Sequence, residues 1–211
     1  MIVFAEAEPQ FVIDALRCDD TNAIDQAATL LLDAFPHWLP TMQMARDEVM
    51  EALGPDRVCL IARAEDQILG WVGGIPEYSH AWELHPLVVS ADARHMGVGA
   101  SLVTALEERV RAAGALTLYL GTDDDGSSPG TSAGGNDLFP DVLSHAASLR
   151  VIDHPAGFYL RMGFEIVGLI PDANGPGKPD ILMAKRVSGG SLQSLARTTA
   201  SPVSGARSRC P

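Results

Sequence analysis

Hydrophobic and polar positions along the chain follow helical spacing in some segments and strand spacing in others. Apolar residues recur every three to four positions in residues 21–35, 41–53 and 97–113, which predicts three amphipathic helices. A shorter helix is predicted at 153–163. Period-two alternation or short apolar runs predict strands at 11–16, 57–63, 67–74, 81–89, 115–120, 164–170 and 180–185. This order of elements predicts an α/β (α+β) fold with a mixed central sheet flanked by helices.

Length and composition narrow the class of protein. The chain has 211 residues, of which 46% are hydrophobic and 20% charged, values that predict one soluble globular domain. The apolar runs are shorter than the ~18 residues of a membrane span, and the first ten residues lack the basic start of a signal peptide. Three widely separated cysteines argue against a disulfide framework or a zinc site and favour a reducing cytoplasm.

The charge is strongly acidic and unevenly distributed. Residues 188–211 are rich in Ser, Gly, Thr and Ala without helical or strand period, which predicts a flexible tail. This tail holds three Arg and no acid, so removing its +3 from the net charge of −12 leaves −15 for residues 1–187. Such a charge argues against nucleic-acid binding and favours a cationic ligand. We expect residues 1–10 to be an N-terminal extension and residues 11–187 to be the folded domain.

A candidate phosphate-binding segment lies between a predicted strand and the clearest predicted helix. Two glycines allow close approach of a ligand to the backbone, and the N–H groups that start a helix suit a phosphate. An ordinary turn before a helix would also explain the spacing. Leu102 stands where a dinucleotide fingerprint needs its third glycine, and the G-K-[ST] of a P-loop is absent. The segment consists of Arg94, His95, Met96, Gly97, Val98 and Gly99.

The pattern R-x-x-G-x-G between a strand and a helix resembles the pyrophosphate-binding motif of the GNAT acetyltransferase superfamily. The resemblance covers roughly residues 11–187 and is closest to the chromosomal-type aminoglycoside 6'-N-acetyltransferases. It implies a bacterial, cytoplasmic homodimer without metal. Such an enzyme acetylates the 6'-amine of aminoglycoside antibiotics by direct attack on acetyl-coenzyme A, conferring resistance. The matching blocks are WELHPLVV at 82–89, YLGTDD at 119–124, His154-Pro155, Phe158-Tyr159, MGF at 162–164, PDANG at 171–175 and KPDI at 178–181.

The resemblance also implies where acetyl-coenzyme A lies. In this family a strand pair splays, and the backbone of one strand holds the pantetheine arm and the thioester. Pro86 cannot donate to a strand ladder, so regular pairing is expected to break before Leu87. The Leu87 amide is thereby implied near the acetyl carbonyl, as an oxyanion-hole donor. The expected cofactor-binding residues are Leu87, Val88, Val89, Arg94, His95, Met96, Gly97, Val98, Gly99, Ala100 and Tyr159.

Two side chains are candidates for the chemistry. Alternation along the strand puts Glu83 and His85 on one face and Trp82 and Leu84 on the other. The resemblance implies that Glu83 contacts the acceptor amine or a water. A carboxylate with a pKa of ~4.3 is a weak base, which favours a water-relayed or electrostatic role. Tyr159 is implied as the general acid beside the coenzyme A sulfur, although simple packing on the sheet would also explain it.

Acidic residues mark a candidate acceptor site. Asp123 and Asp124 follow a predicted strand, Asp137 comes soon after, and ligand sites gather at the carboxyl ends of strands. Carboxylates would attract the ammonium groups of an aminoglycoside, although a run of Asp can also be a solvated loop. We expect Asp123, Asp124 and Asp137 to bind substrate with Glu83 and His85, although His85 can also be a supporting residue. Two alternatives stay open: acetylation of a protein or polyamine amine, and a coenzyme-A-binding module without catalysis.

Overall fold

A computed structural model describes residues 11–126 and 130–188. The predicted extension at 1–10 and, apart from Ser188, the predicted tail lie outside the described residues. In chain order the elements are β1 (Val12–Ala15), α1 (Thr21–Ala34), α2 (Met42–Ala52), β2 (Val58–Ala64), β3 (Gln67–Ile75), β4 (Ala81–Val89), a 3-10 turn (Ala91–Ala93), α3 (Val98–Ala112), β5 (Thr117–Asp123), β6 (Gly130–Thr131), α4 (Val142–Ala147), β7 (Val151–Asp153), α5 (Ala156–Arg161), β8 (Glu165–Ile170) and β9 (Asp180–Arg186).

Most predicted elements are present, and the differences have local causes. Helix α4 is six residues long and buries no side chain, so it carries no apolar stripe from which a helix could be predicted. Strands β6 and β7 are too short to show alternation, and among the described residues they pair only with each other. Strand β5 extends to Asp123, beyond its apolar run, because Asp123 pairs with Asp180 at the start of β9.

Seven strands form the main sheet in the order β1-β2-β3-β4-β5-β9-β8. The β4–β5 pair is parallel and every other neighbouring pair is antiparallel, which confirms the predicted mixed sheet. Helix α3 covers one face with a core that includes Leu102 and Leu106, and α1 and α2 cover the other around Leu31 and Trp71. The buried Trp71 indole donates to the Ala27 carbonyl at 3.2 Å, so its polar atom is satisfied.

The two parallel strands part soon after they meet. Strand β4 then continues against β3 to Val89, and β5 continues against β9 to Asp123. A gap therefore opens in the sheet beyond Glu83, as the expected splayed pair requires. The paired residues are Ala81 with Thr117, Trp82 with Leu118 and Glu83 with Tyr119.

A bulge at His85 and Pro86 changes which face of the sheet β4 presents. Between two consecutive pairings with β3, strand β4 carries one residue more than its partner. Because side chains alternate, the extra residue exchanges the faces. Trp82 and Leu84 pack in the α3 core, whereas Val88 packs in the core under α1 and α2. Leu87 correspondingly packs against the α3 side.

Gly73 lies opposite this bulge, and a Cβ added there would collide with the His85 carbonyl oxygen. We expect Gly73→Ala to lower the free energy of unfolding by about 1–3 kcal/mol, because backbone must move to make room. Gly168→Ala in β8 is the matched control, since its Cβ would meet Leu182 Cδ1 at an ordinary 3.9 Å. Urea denaturation followed by circular dichroism measures both variants. Equal stabilities of the two variants would contradict this close approach.

Candidate active site

The parted strands enclose a cleft of about 590 Å³. Its lining comes from β4, β5, α5, the start of β9, the connection between α1 and α2, and the connection that precedes β9. The cleft brings together five predicted site residues that are far apart in the sequence: Glu83, His85, Leu87, Asp123 and Tyr159.

The predicted phosphate segment forms an open backbone turn at the start of α3. His95 and Gly97 are left-handed, with φ of +64° and +84°, and the helix begins at Val98. A Cβ on Gly97 would meet no atom within 4 Å, so the backbone there borders open space and its φ favours glycine. Arg94 and Met96 are exposed. The turn thus offers N–H groups at a helix start, which suit the diphosphate of coenzyme A.

The first turn of α3 packs closely on the elements that border the cleft. A Cβ on Gly99 would lie 3.5 Å from Phe158 Cζ and 3.6 Å from Val89 Cγ2. The phosphate turn, the end of β4 and helix α5 are therefore side by side. Ala100 is half-buried in this turn, whereas the side chains of Val88 and Val98 are buried in the cores. Only the backbone of those two valines could serve a cofactor.

Glu83 and His85 share one face of β4, as the alternation predicted, and each has a shifted pKa. Burial raises the pKa of the Glu83 carboxyl; His85 lowers it, while Glu77 and Asp180 raise it further. Glu48 of α2 raises the pKa of His85, and burial lowers it. The Glu48 Oε1 atom lies 3.6 Å from the His85 Nε2 atom. The cleft thus places a carboxyl group and an imidazole on one face of β4, and each favours the charged form of the other.

Tyr159 is both packed and part of the cleft lining. The residue is 8% exposed, and its ring contacts Phe158 and Phe164 edge-on, with centroids 5.1 and 5.6 Å away. Burial raises the pKa of the Tyr159 phenol, so the phenol keeps its proton at neutral pH. A proton donor therefore borders the cleft on the side of α5.

The three predicted acceptor aspartates occupy different surroundings. Asp123 lines the cleft, and its Oδ1 accepts a hydrogen bond from Asn174 Nδ2 at 2.6 Å. Asp124 is 1% exposed and accepts from the Thr131 hydroxyl at 2.6 Å and the Thr131 amide at 3.0 Å, so its carboxylate holds the following loop. Asp137 is exposed, lies outside the cleft lining and accepts from the Phe139 amide at 3.0 Å.

Several lining residues are not among the site residues predicted from the sequence. Asp180 lies at the start of β9, and burial followed by the neighbouring Asp123 raises its pKa. Its presence in the matching block 178–181 was a signal that could have found it. Phe35 and Trp38 form an aromatic wall, with ring centroids 5.8 Å apart, and Trp38 lies edge-on to His85 at 5.6 Å. Only packing of the α1–α2 connection against β4 brings these rings to the cleft.

Residues 11–126 and 130–188 contain neither a candidate metal site nor a membrane-spanning helix. No group of three or more His, Cys, Asp or Glu in this part of the chain could hold a metal ion. None of its helices is long and apolar enough to cross a membrane.

Comparisons with known proteins agree with this geometry. A sequence model of the Acetyltransferase (GNAT) family matches residues 24–128. A solved aminoglycoside 6'-N-acetyltransferase complexed with coenzyme A is 36% identical, with a TM-score of 0.79; the match covers 85% of this chain and 99% of that one. The aminoglycoside 6'-N-acetyltransferase from Enterococcus faecium is also 36% identical over the same shares, with a TM-score of 0.78. No curated protein sequence matches the chain significantly.

Burial of Glu83 has a consequence for stability. A carboxyl whose pKa is raised by folding stabilises the fold below its unfolded pKa and loses that contribution as the pH rises through its folded pKa. We therefore expect Glu83→Gln to raise the melting temperature at pH 7 and to have a smaller effect at pH 4. Glu108→Gln, at an exposed position of α3, is the control with the same change of charge. Calorimetry at both pH values measures this, and a Glu83→Gln variant no more stable than the control at pH 7 would refute it.

Proposed function

The chain belongs to the GNAT acetyltransferase family, and we propose that it transfers the acetyl group of acetyl-coenzyme A to the 6'-amine of aminoglycosides. Family membership confirms the predicted acetyltransferase activity and, since GNAT enzymes use acetyl-coenzyme A, the predicted acetyl donor. The observation that carries the proposal is the acidic cleft between β4 and β5, which holds Glu83, Asp123 and Tyr159 beside an open helix start. Two relatives at 36% identity with this activity in their names support the choice of acceptor.

The donor side is assigned to the turn at 94–100 and the end of β4. The N–H groups that begin α3 would bind the diphosphate, and Arg94 would add a positive charge beside it. The parted strands leave the backbone of β4 beyond Glu83 without β5 as a neighbour. The Leu87 amide would donate to the carbonyl oxygen of the thioester as negative charge develops on it. Bound acetyl-coenzyme A supplies the activated acetyl group.

The transfer requires two proton movements that residues of the cleft can serve. The amine nitrogen forms a bond to the carbonyl carbon, the C–S bond breaks, and the amine loses a proton. Glu83 would receive that proton through water or stabilise the ammonium, because its carboxylate is a weak base even with a raised pKa. Tyr159 would donate the proton that the leaving thiolate needs, since burial keeps its phenol protonated.

The acceptor side is acidic, as a polycationic sugar requires. Glu83, Asp123 and Asp180 line the cleft, and the whole chain carries a net charge of −12. These carboxylates would steer and hold the ammonium groups of an aminoglycoside. Asp124 and Asp137 are not included in this acceptor surface, because each carboxylate caps backbone of its own loop.

The sequence left two alternative functions open, and experiment distinguishes them from this proposal. A basic peptide or a polyamine would also suit the acidic cleft, so charge alone does not distinguish these acceptors. A protonated Tyr159 and acidic side chains in the same cleft favour catalysis over a coenzyme-A-binding module without catalysis.

We also propose that the enzyme is a homodimer whose activity confers resistance in the bacterial cytoplasm. Large apolar side chains are exposed on α4 and β8, at the edge of the main sheet, and such side chains favour an interface. Leu143 is 80% exposed, Val167 60% and Ile170 46%. A second copy of the chain would cover them.

The first test uses two aminoglycosides that differ only at position 6'. Neomycin carries an amine there and paromomycin a hydroxyl. We expect thiol release from acetyl-coenzyme A with neomycin and only background release with paromomycin, because the amine is the nucleophile. Release with neither compound, but with polyamines or basic peptides in the same assay, would overturn the choice of acceptor. Tight coenzyme A binding with no acceptor turned over would favour the non-catalytic alternative.

The role of Tyr159 is tested by Tyr159→Phe, which removes the hydroxyl and keeps the ring that packs on Phe158 and Phe164. We expect kcat to fall about tenfold or more, because general acid catalysis contributes ~10²–10⁴-fold in full, while the melting temperature stays unchanged. Tyr78→Phe is the matched control at a tyrosine outside the cleft lining. Steady-state kinetics of thiol release measures the effect. An unchanged kcat would leave Tyr159 as a packing residue.

A further inference from the structure

His154 bridges two walls of the cleft without lining it. Its Nε2 lies 2.8 Å from the carbonyl oxygen of Asp123, the last residue of β5. Its Nδ1 accepts a hydrogen bond from the Ala156 amide at 3.1 Å, at the first residue of α5. One imidazole ring therefore joins the end of a strand to the start of a helix.

These two bonds determine the tautomer of the ring. Ala156 N–H can only donate, so Nδ1 carries no proton. The Asp123 carbonyl can only accept, so Nε2 carries the proton. Both bonds form together only when His154 is neutral with its hydrogen on Nε2.

Each bond supports a different part of the proposed site. The bond to the Asp123 carbonyl fixes the backbone from which the Asp123 carboxylate projects, and Asn174 Nδ2 donates to that carboxylate at 2.6 Å. The bond from Ala156 fixes the first turn of α5. The residue before that helix, Pro155, makes no side-chain capping bond, so the ring of His154 takes the capping role. Tyr159 lies one turn further along the same helix.

We propose that His154 is a positioning residue whose single ring sets the acceptor carboxylate Asp123 and the helix that carries Tyr159 in register across the cleft. The inference rests on the proposed function for the tasks of Asp123 and Tyr159. The geometry of the ring is independent of those tasks. Since small displacements of reacting groups cost rate steeply, loss of either bond has a kinetic effect out of proportion to its effect on stability.

Two conservative substitutions separate the bonds. The Oδ1 of His154→Asn occupies the place of Nδ1, so this variant keeps the cap on Ala156 and loses the bond to Asp123. The Nε2 of His154→Gln occupies the place of the ring Nε2, so this variant keeps the bond to Asp123 and loses the cap. His154→Ala loses both. His145→Gln, in α4 and outside the cleft lining, is the matched control.

With neomycin as acceptor, we expect the two variants to change different kinetic parameters. His154→Asn raises the acceptor KM by roughly three- to tenfold, the scale of one hydrogen bond, with kcat within about twofold of the wild type. His154→Gln lowers kcat by a similar factor with little change in the acceptor KM. His154→Ala shows both losses, and His145→Gln shows neither. If the role of His154 were purely structural, all three His154 variants would lose stability, and His154→Asn and His154→Gln would not differ in whether KM or kcat changes. That result would overturn the inference.

Nuclear magnetic resonance of the imidazole nitrogens tests the ring independently of any acceptor. We expect the spectrum of the full-length protein to show the neutral imidazole of His154 with its proton on Nε2 and none on Nδ1. The opposite tautomer would overturn the inference even if neomycin is a good substrate. If neomycin is not acetylated, the proposed function fails. Two measurements then still decide whether His154 joins β5 to α5: the tautomer of its ring, and the hydrogen exchange of the Ala156 amide in the His154→Asn and His154→Gln variants.

Discussion

The parting of β4 from β5 is the constraint on which the rest of the site depends. Two parallel strands that stayed paired would leave no gap between the helices, and the carbonyls and amides of β4 would be consumed by the ladder. Here the pairing stops at Glu83 and Tyr119, and each strand completes its hydrogen bonds with the neighbour on its other side. The gap therefore costs the sheet little, because only the shared edge of the two strands is given up.

The bulge at His85 and Pro86 adds a second constraint, because it lets one strand serve both faces of the sheet. Before the bulge, Glu83 and His85 face the side of α1 and α2, where Glu48 and Trp38 meet His85. After it, Leu87 faces the side of α3. A regular strand would keep all three side chains on one face. In the proposed function, the acceptor side and the donor side of the cleft therefore meet within a few residues of β4.

Burial in the cleft disfavours the charged forms of the side chains that line it. Glu83 and Asp180 have pKa values raised by burial, so their ionised forms oppose folding and favour a bound cation. Tyr159 has its pKa raised by the same cause, yet the result is a retained proton. One physical effect, desolvation, therefore acts both on the proposed acceptor carboxylates and on the proposed proton donor, and the stability that the ionised carboxylates cost is the usual cost of a preorganised site.

The sequence by itself determined the long elements, the mixed sheet and the glycine turn before α3, because periodicity, a proline in a strand and glycines at a helix start are local properties. It also determined Glu83, His85, Leu87, Asp123 and Tyr159 as residues of one cleft, through resemblance to a family. The tertiary structure alone decided that Asp124 is buried under its own loop and that Asp180 and Glu48 join the site. Neighbours across a sheet or between layers are distant in sequence, so no local pattern records which polar side chain faces the cleft and which one satisfies a buried backbone group.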